Sequence, residues 1–115
     1  MVKNSQEQRR FPRVPAEKAV LVKKLGDESS ETLAKTRMVG GGGCMFVHHE
    51  AVGVGTAVEL LISLPTRVIK AQGRVVWETV AQDGTVEVGV EFLDVSAKDR
   101  RALEAAVAEA APAAR

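Results

Sequence analysis

The sequence predicts a mainly-β fold: a barrel or sandwich of about six short strands, followed by one C-terminal helix. Three observations carry this. Apolar and polar residues alternate with period two through most of residues 57–92. Aromatics are only 3% of the chain against 45% hydrophobic residues, so the core must come mainly from Val, Leu, Ile and Ala. The β-branched members of that set fit a pleated surface. From Ser96 onward the period changes to that of an alanine-rich helix.

Taken in order, residues 1–10 are polar and without period, and read as a flexible arm. Pro12 and Pro15 bracket Arg13 and Val14, which excludes regular helix and favours an extended segment. Residues 18–25 form a first strand, Gly26 to Ser30 a polar turn, and residues 31–39 a second strand. Gly40-Gly41-Gly42-Gly43 interrupts the pattern before a short apolar run, Cys44 to Val47. Val58, Leu60, Ile62 and Leu64 then alternate with polar or smaller neighbours, and Pro65 ends that strand. In residues 68–78, Ile69, Ala71, Val75 and Trp77 fall on one face, while Lys70, Gln72, Arg74 and Glu78 fall on the other. Asp83-Gly84 signals a turn, and Val86, Val88, Val90 and Phe92 make the last alternating run. Ser96 and Asp99 match a capping box, with Leu103, Val107 and Ala110 at helical spacing and an end near Pro112. The division is therefore an arm over 1–10, one domain over 11–111 and a tail over 112–115.

The chain has 115 residues, the size of one domain. Its formal net charge is +1, yet residues 1–25 hold seven basic residues against two acidic ones, a local +5. A discrete basic cluster on a near-neutral chain suits a small anionic ligand better than a long duplex, so nucleic acid is not the expected partner. The single cysteine, Cys44, can form neither an internal disulfide nor a four-thiolate zinc site. No apolar run reaches the roughly 18–20 residues of a membrane span. Residues 1–13 lack the apolar stretch of a signal peptide. No membrane insertion and a cytoplasmic location are expected.

Two features could carry chemistry. Arg9, Arg10 and Arg13 place three guanidiniums on a proline-stiffened segment. Guanidinium pairs with phosphate oxygens through two parallel hydrogen bonds and stacks on purines. The plain alternative is a solvated basic tail. The four-glycine run could bring backbone N–H groups close to an anion. It is neither a P-loop nor a dinucleotide fingerprint, and a flexible turn is the simpler reading. His48 and His49 are adjacent on a strand and so point to opposite faces, which argues against a shared metal. No nucleophile–base pattern is present, so neither catalysis nor a cofactor is expected.

Together these pieces resemble the PilZ domain family over residues 8–108. Gln8-Arg9-Arg10-Phe11-Pro12-Arg13-Val14-Pro15 is similar to the family's opening segment, whose RxxxR motif falls on Arg9 and Arg13. Residues 54–60, 73–77 and 88–96 are similar to its later strands. The resemblance implies a six-stranded antiparallel split barrel with a C-terminal helix, and cyclic di-GMP as the ligand. It implies that Arg9 and Arg13 grip phosphates and guanines, with Arg10 as a helper. The family's second motif is Asp or Asn, any residue, Ser, two residues, then Gly. Here it reads Met38-Val39-Gly40-Gly41-Gly42-Gly43, so only Gly43 matches, and Met38 and Gly40 replace the polar side chains. The implied ligand residues are Arg9, Arg10, Arg13, Gly40 and Gly43. The implied function is a non-enzymatic receptor that signals to an effector protein, in a process such as motility. The alternative is an adaptor that has lost the nucleotide and works through protein contacts.

Overall fold

The computed structural model describes residues 13–26 and 30–110. The expected arm over 1–10, with Arg9 and Arg10, and the tail over 112–115 lie outside the described residues. The elements are β1 (Arg13–Pro15), β2 (Ala19–Lys24), β3 (Thr32–Gly40), β4 (Gly43–His48), β5 (Ala57–Ser63), β6 (Val68–Val80), β7 (Val86–Val95) and α1 (Ala97–Ala110). The segments expected to form strands from residue 18 onward are β2 to β7. β1 is the extended segment set by the prolines.

All neighbours pair antiparallel. β3 pairs β2, β2 pairs β5, β5 pairs β6, β6 pairs β7 and β7 pairs β4, which returns to β3. Six strands thus close into a barrel, and closure leaves none of them with an open edge over its full length. β1 continues along the edge of β3 beyond the end of β2. β2 covers Thr32–Lys35, and β1 covers Met38–Gly40. Between them the chain kinks past Thr36, which is fully buried. The Lys18 N–H donates to Thr36 Oγ1 at 2.8 Å, and the Thr36 hydroxyl donates to the Ala16 carbonyl at 2.7 Å. One buried hydroxyl therefore satisfies both backbone groups that the kink takes out of the ladder.

Period two puts the barrel interior where the sequence predicted. Val58, Leu60 and Ile62 of β5 and Val88 of β7 are fully buried, with Val86, Val90 and Phe92 close behind. They meet Val20, Phe46, Ile69 and Val75 in one core. Leu103 and Val107 of α1 join that core, and the helix packs on β1, β3 and β6. Ala110, expected on the same stripe, is exposed at the helix end. The Asp83-Gly84 turn forms between β6 and β7, with Gly84 at φ 90°, a backbone region that suits glycine.

Trp77 departs from expectation. It was placed on the core face of β6 with Val75, but it is 39% exposed. The β6–β7 register shifts between Val75 and Trp77: Val75 faces Val90 and Trp77 faces Gly89. The extra residue, Val76, forms a bulge that turns every later side chain of β6 to the other face. The Trp77 indole then lies over Gly89, where any Cβ would overlap the ring. Glu78, expected outward, is half-buried instead, and its carboxylate accepts from the N–H groups of Val52 (2.7 Å) and Gly53 (3.0 Å).

The helix start follows the capping box in one direction only. The Asp99 N–H donates to Ser96 Oγ at 3.0 Å. The Asp99 carboxylate does not reach back to the cap. It accepts from the Lys70 N–H at 3.1 Å and pairs with Arg67 at 3.0 Å, tying α1 to the start of β6. Asp99→Ala removes both links at a buried position. The expected cost is about 2 kcal/mol, read as a lower urea midpoint at unchanged slope.

Candidate functional site

The β1–β3 register decides what meets at the glycine run. Arg13 stands opposite Gly40, Val14 opposite Val39, and Pro15 opposite Met38. Across the other edge of β3, Gly40 faces Gly43, Val39 faces Cys44, and Met38 faces Met45. Of the residues singled out in the sequence, the fold brings Arg13, Gly40 and Gly43 to one end of the β3–β4 hairpin. Arg9 and Arg10 lie outside the described residues.

Each glycine neighbour has a physical reason for its place. Gly43 is packed flush against β7, and a Cβ there would overlap the Val90 carbonyl oxygen. The Phe92 N–H donates to the Gly42 carbonyl at 2.8 Å. Arg100 of α1 donates through Nη1 to the Gly41 carbonyl. The run is thus a tight hairpin turn whose carbonyls are engaged by β7 and by the helix. The turn of the simpler sequence reading is present, between β3 and β4.

Arg13 is exposed at this rim, while Gly40 and Gly43 are buried. Its charge is felt at Cys44. Burial pushes the Cys44 thiol up to about 12, and the Arg13 guanidinium pulls it part of the way back. The thiol therefore stays protonated at neutral pH and is no nucleophile. Met38, opposite Pro15, is half-buried and presents a thioether, a weak acceptor, where a carboxylate or amide would accept strongly.

The opposite end of the β3–β4 hairpin has a different character. His48 is buried at the end of β4, with Nδ1 2.7 Å from the Glu50 carbonyl. Since β4 ends there, His49 turns back and its ring stacks on His48 at 4.6 Å, rather than pointing to the other face. Both line a cavity of about 310 Å³ together with Lys24, Thr32 and Glu50. It is well separated from the Arg13 rim along the hairpin. Among the described residues, no group of three or more His, Cys, Asp or Glu side chains is placed to hold a metal. No described helix is long and apolar enough to cross a membrane.

Sequence reasoning missed Arg100. The available signal was a basic residue in the first turn of a helix, where the macrodipole disfavours positive charge. Such a residue needs a partner elsewhere.

Solved structures that share the fold include the following three. The Bacillus subtilis inhibitor of motility (MotI/DgrA) is 19% identical, with a TM-score of 0.78 over 88% of this chain and 50% of its own. The PilZ domain of YcgR from Escherichia coli with cyclic di-GMP is 18% identical, with a TM-score of 0.64 over 90% of this chain and 91% of its own. The MrkH–cyclic di-GMP complex from K. pneumonia is 16% identical, with a TM-score of 0.66 over 84% of this chain and 49% of its own. The chain spans about half the length of the motility inhibitor and of MrkH. No curated protein matches it. The PilZ domain model matches residues 7–109, from ahead of the first arginine motif to the end of the helix. A match of that extent, on a closed barrel whose register sets Arg13 beside the glycine turn, shows that the chain belongs to the PilZ domain family.

Proposed function

We propose that this chain is a cyclic di-GMP receptor, not an enzyme, which signals through altered contacts with an effector protein. The observation that carries the reading is the β1–β3 register. It sets Arg13 opposite Gly40, which supports a ligand site at this rim of the barrel. That two of the structural relatives are complexes with cyclic di-GMP supports the ligand class. In this reading Arg13 pairs with a phosphate, and Arg9 and Arg10 add guanidiniums from the same segment. The glycine turn lets the ligand approach the backbone.

A second reading keeps the fold and drops the nucleotide. It is favoured by Met38 and Gly40, which offer no strong polar side-chain partner. It is also favoured by a row of leucines on the outer barrel face. Leu33, Leu21 and Leu61 stand directly opposite one another across β3, β2 and β5, and Leu33 is 71% exposed. Such a row suits a protein partner.

Amide chemical-shift mapping with cyclic di-GMP separates the two. The receptor reading expects shifts concentrated at Arg13, Met38–Cys44 and the start of α1, with His48–Val52 unmoved. Shifts confined to the His48 end, or none at all, would sink it.

A further inference from the structure

The glycine turn raises a physical question. A run of four glycines has more backbone freedom to lose than any other tetrapeptide. Ordering it on ligand binding would subtract from affinity, and a turn already held by the fold avoids that loss. Here the holding is done from two sides. β7 supplies the Phe92 N–H to Gly42, and its Val90 carbonyl closes against Gly43. The remaining contact comes from α1, where Arg100 donates to the Gly41 carbonyl across 59 residues of sequence.

Arg100 is the fourth residue of α1 and is half-buried. A guanidinium in the first helical turn faces the positive end of the macrodipole, so the helix itself gains nothing from it. Its neighbour Arg101 has the same charge and is exposed. The geometry of Arg100 serves the turn, and the turn is where Met38 and Gly40 leave the second motif without polar side chains.

We propose that Arg100 is a positioning residue of the cyclic di-GMP site. It fixes the Gly40–Gly43 backbone, so that the turn is already ordered when the ligand arrives and binding does not have to order it. The inference rests on the receptor reading above. It makes α1 part of the binding site through the turn, although the helix carries none of the family's motif residues.

The test is a calorimetric titration of the full chain with cyclic di-GMP, comparing wild type, Arg100→Ala, Arg100→Lys and Arg101→Ala. The carbonyl carbon shift of Gly41 is recorded for each variant without ligand. Arg100→Ala is expected to weaken binding about tenfold or more, the loss of one charge-assisted contact, and to move the Gly41 signal. Arg101→Ala removes the same charge from the next residue and is expected to stay within about twofold of wild type. Arg100→Lys keeps the charge and a donor, is expected to fall between wild type and alanine, and carries the test if the alanine variant fails to fold. Equal losses in Arg100→Ala and Arg101→Ala would reduce the effect to net charge and overturn the proposal. Wild-type affinity in Arg100→Ala would overturn it while leaving the receptor reading intact. A wild-type chain that binds no cyclic di-GMP overturns both.

Discussion

Replacing Met38 by Asp and Gly40 by Ser together is expected to strengthen cyclic di-GMP binding by about ten- to a hundredfold. The two positions lie on the strand facing β1: Gly40 opposite Arg13 and Met38 opposite Pro15. A carboxylate at 38 accepts from a guanine edge, and a hydroxyl at 40 adds a second hydrogen bond. Each is worth roughly 0.5–1.5 kcal/mol, more where a charge takes part, and each 1.4 kcal/mol is tenfold in affinity. Calorimetric titration of the double variant measures the gain. Because Gly40 is buried, a thermal melt should accompany it to confirm that the barrel is intact. A folded double variant with no gain would show that the site does not use these positions.

The largest effect on stability is expected from Phe46→Ala. Phe46 is fully buried in β4, between Thr36 of β3 and Val88 of β7 in the ladder. It sits at the seam where β4 closes the barrel, in a core built mostly from aliphatic side chains. Removing a buried phenyl costs about 3–5 kcal/mol through lost transfer energy and the cavity left behind. That is a large share of the 5–15 kcal/mol that holds an ordinary domain. The melting temperature should fall by about 12–20 °C. A drop of a few degrees would mean that the core collapses into the space, contrary to the close packing described.

Much of the fold was legible in the sequence because its cause is local. The alternation of Val58, Leu60 and Ile62, or of Val86, Val88, Val90 and Phe92, fixes a buried face through backbone geometry alone. The Ser96 cap and the Asp83-Gly84 turn are likewise short-range chemistry. Trp77 was misplaced because the bulge at Val76 has no mark in the alternation. The run from Ile69 to Trp77 reads as one unbroken strand, and only the pairing with Gly89 shows the shift. The true partners of Asp99 were out of reach for the same reason. Lys70 lies 29 residues away and meets it through the barrel's topology.

The site divides in the same way. The chemistry of Arg13 as a phosphate ligand could be read from residue type and setting. Its place opposite Gly40, 27 positions along the chain, shows only in the β1–β3 ladder. Arg100 belongs to neither source, since its link to Gly41 spans 59 residues and involves a helix residue outside the family's motifs.

The central claim is that the Arg13 rim of the barrel binds cyclic di-GMP. Its most direct test is isothermal titration of the purified chain beside an Arg9→Ala/Arg13→Ala control. The expected result is a Kd of about 1 μM or tighter, weakened at least about a hundredfold in the control, since two charge-assisted contacts are lost. No binding by the wild-type chain at high ligand concentration, or undiminished binding by the control, would contradict it.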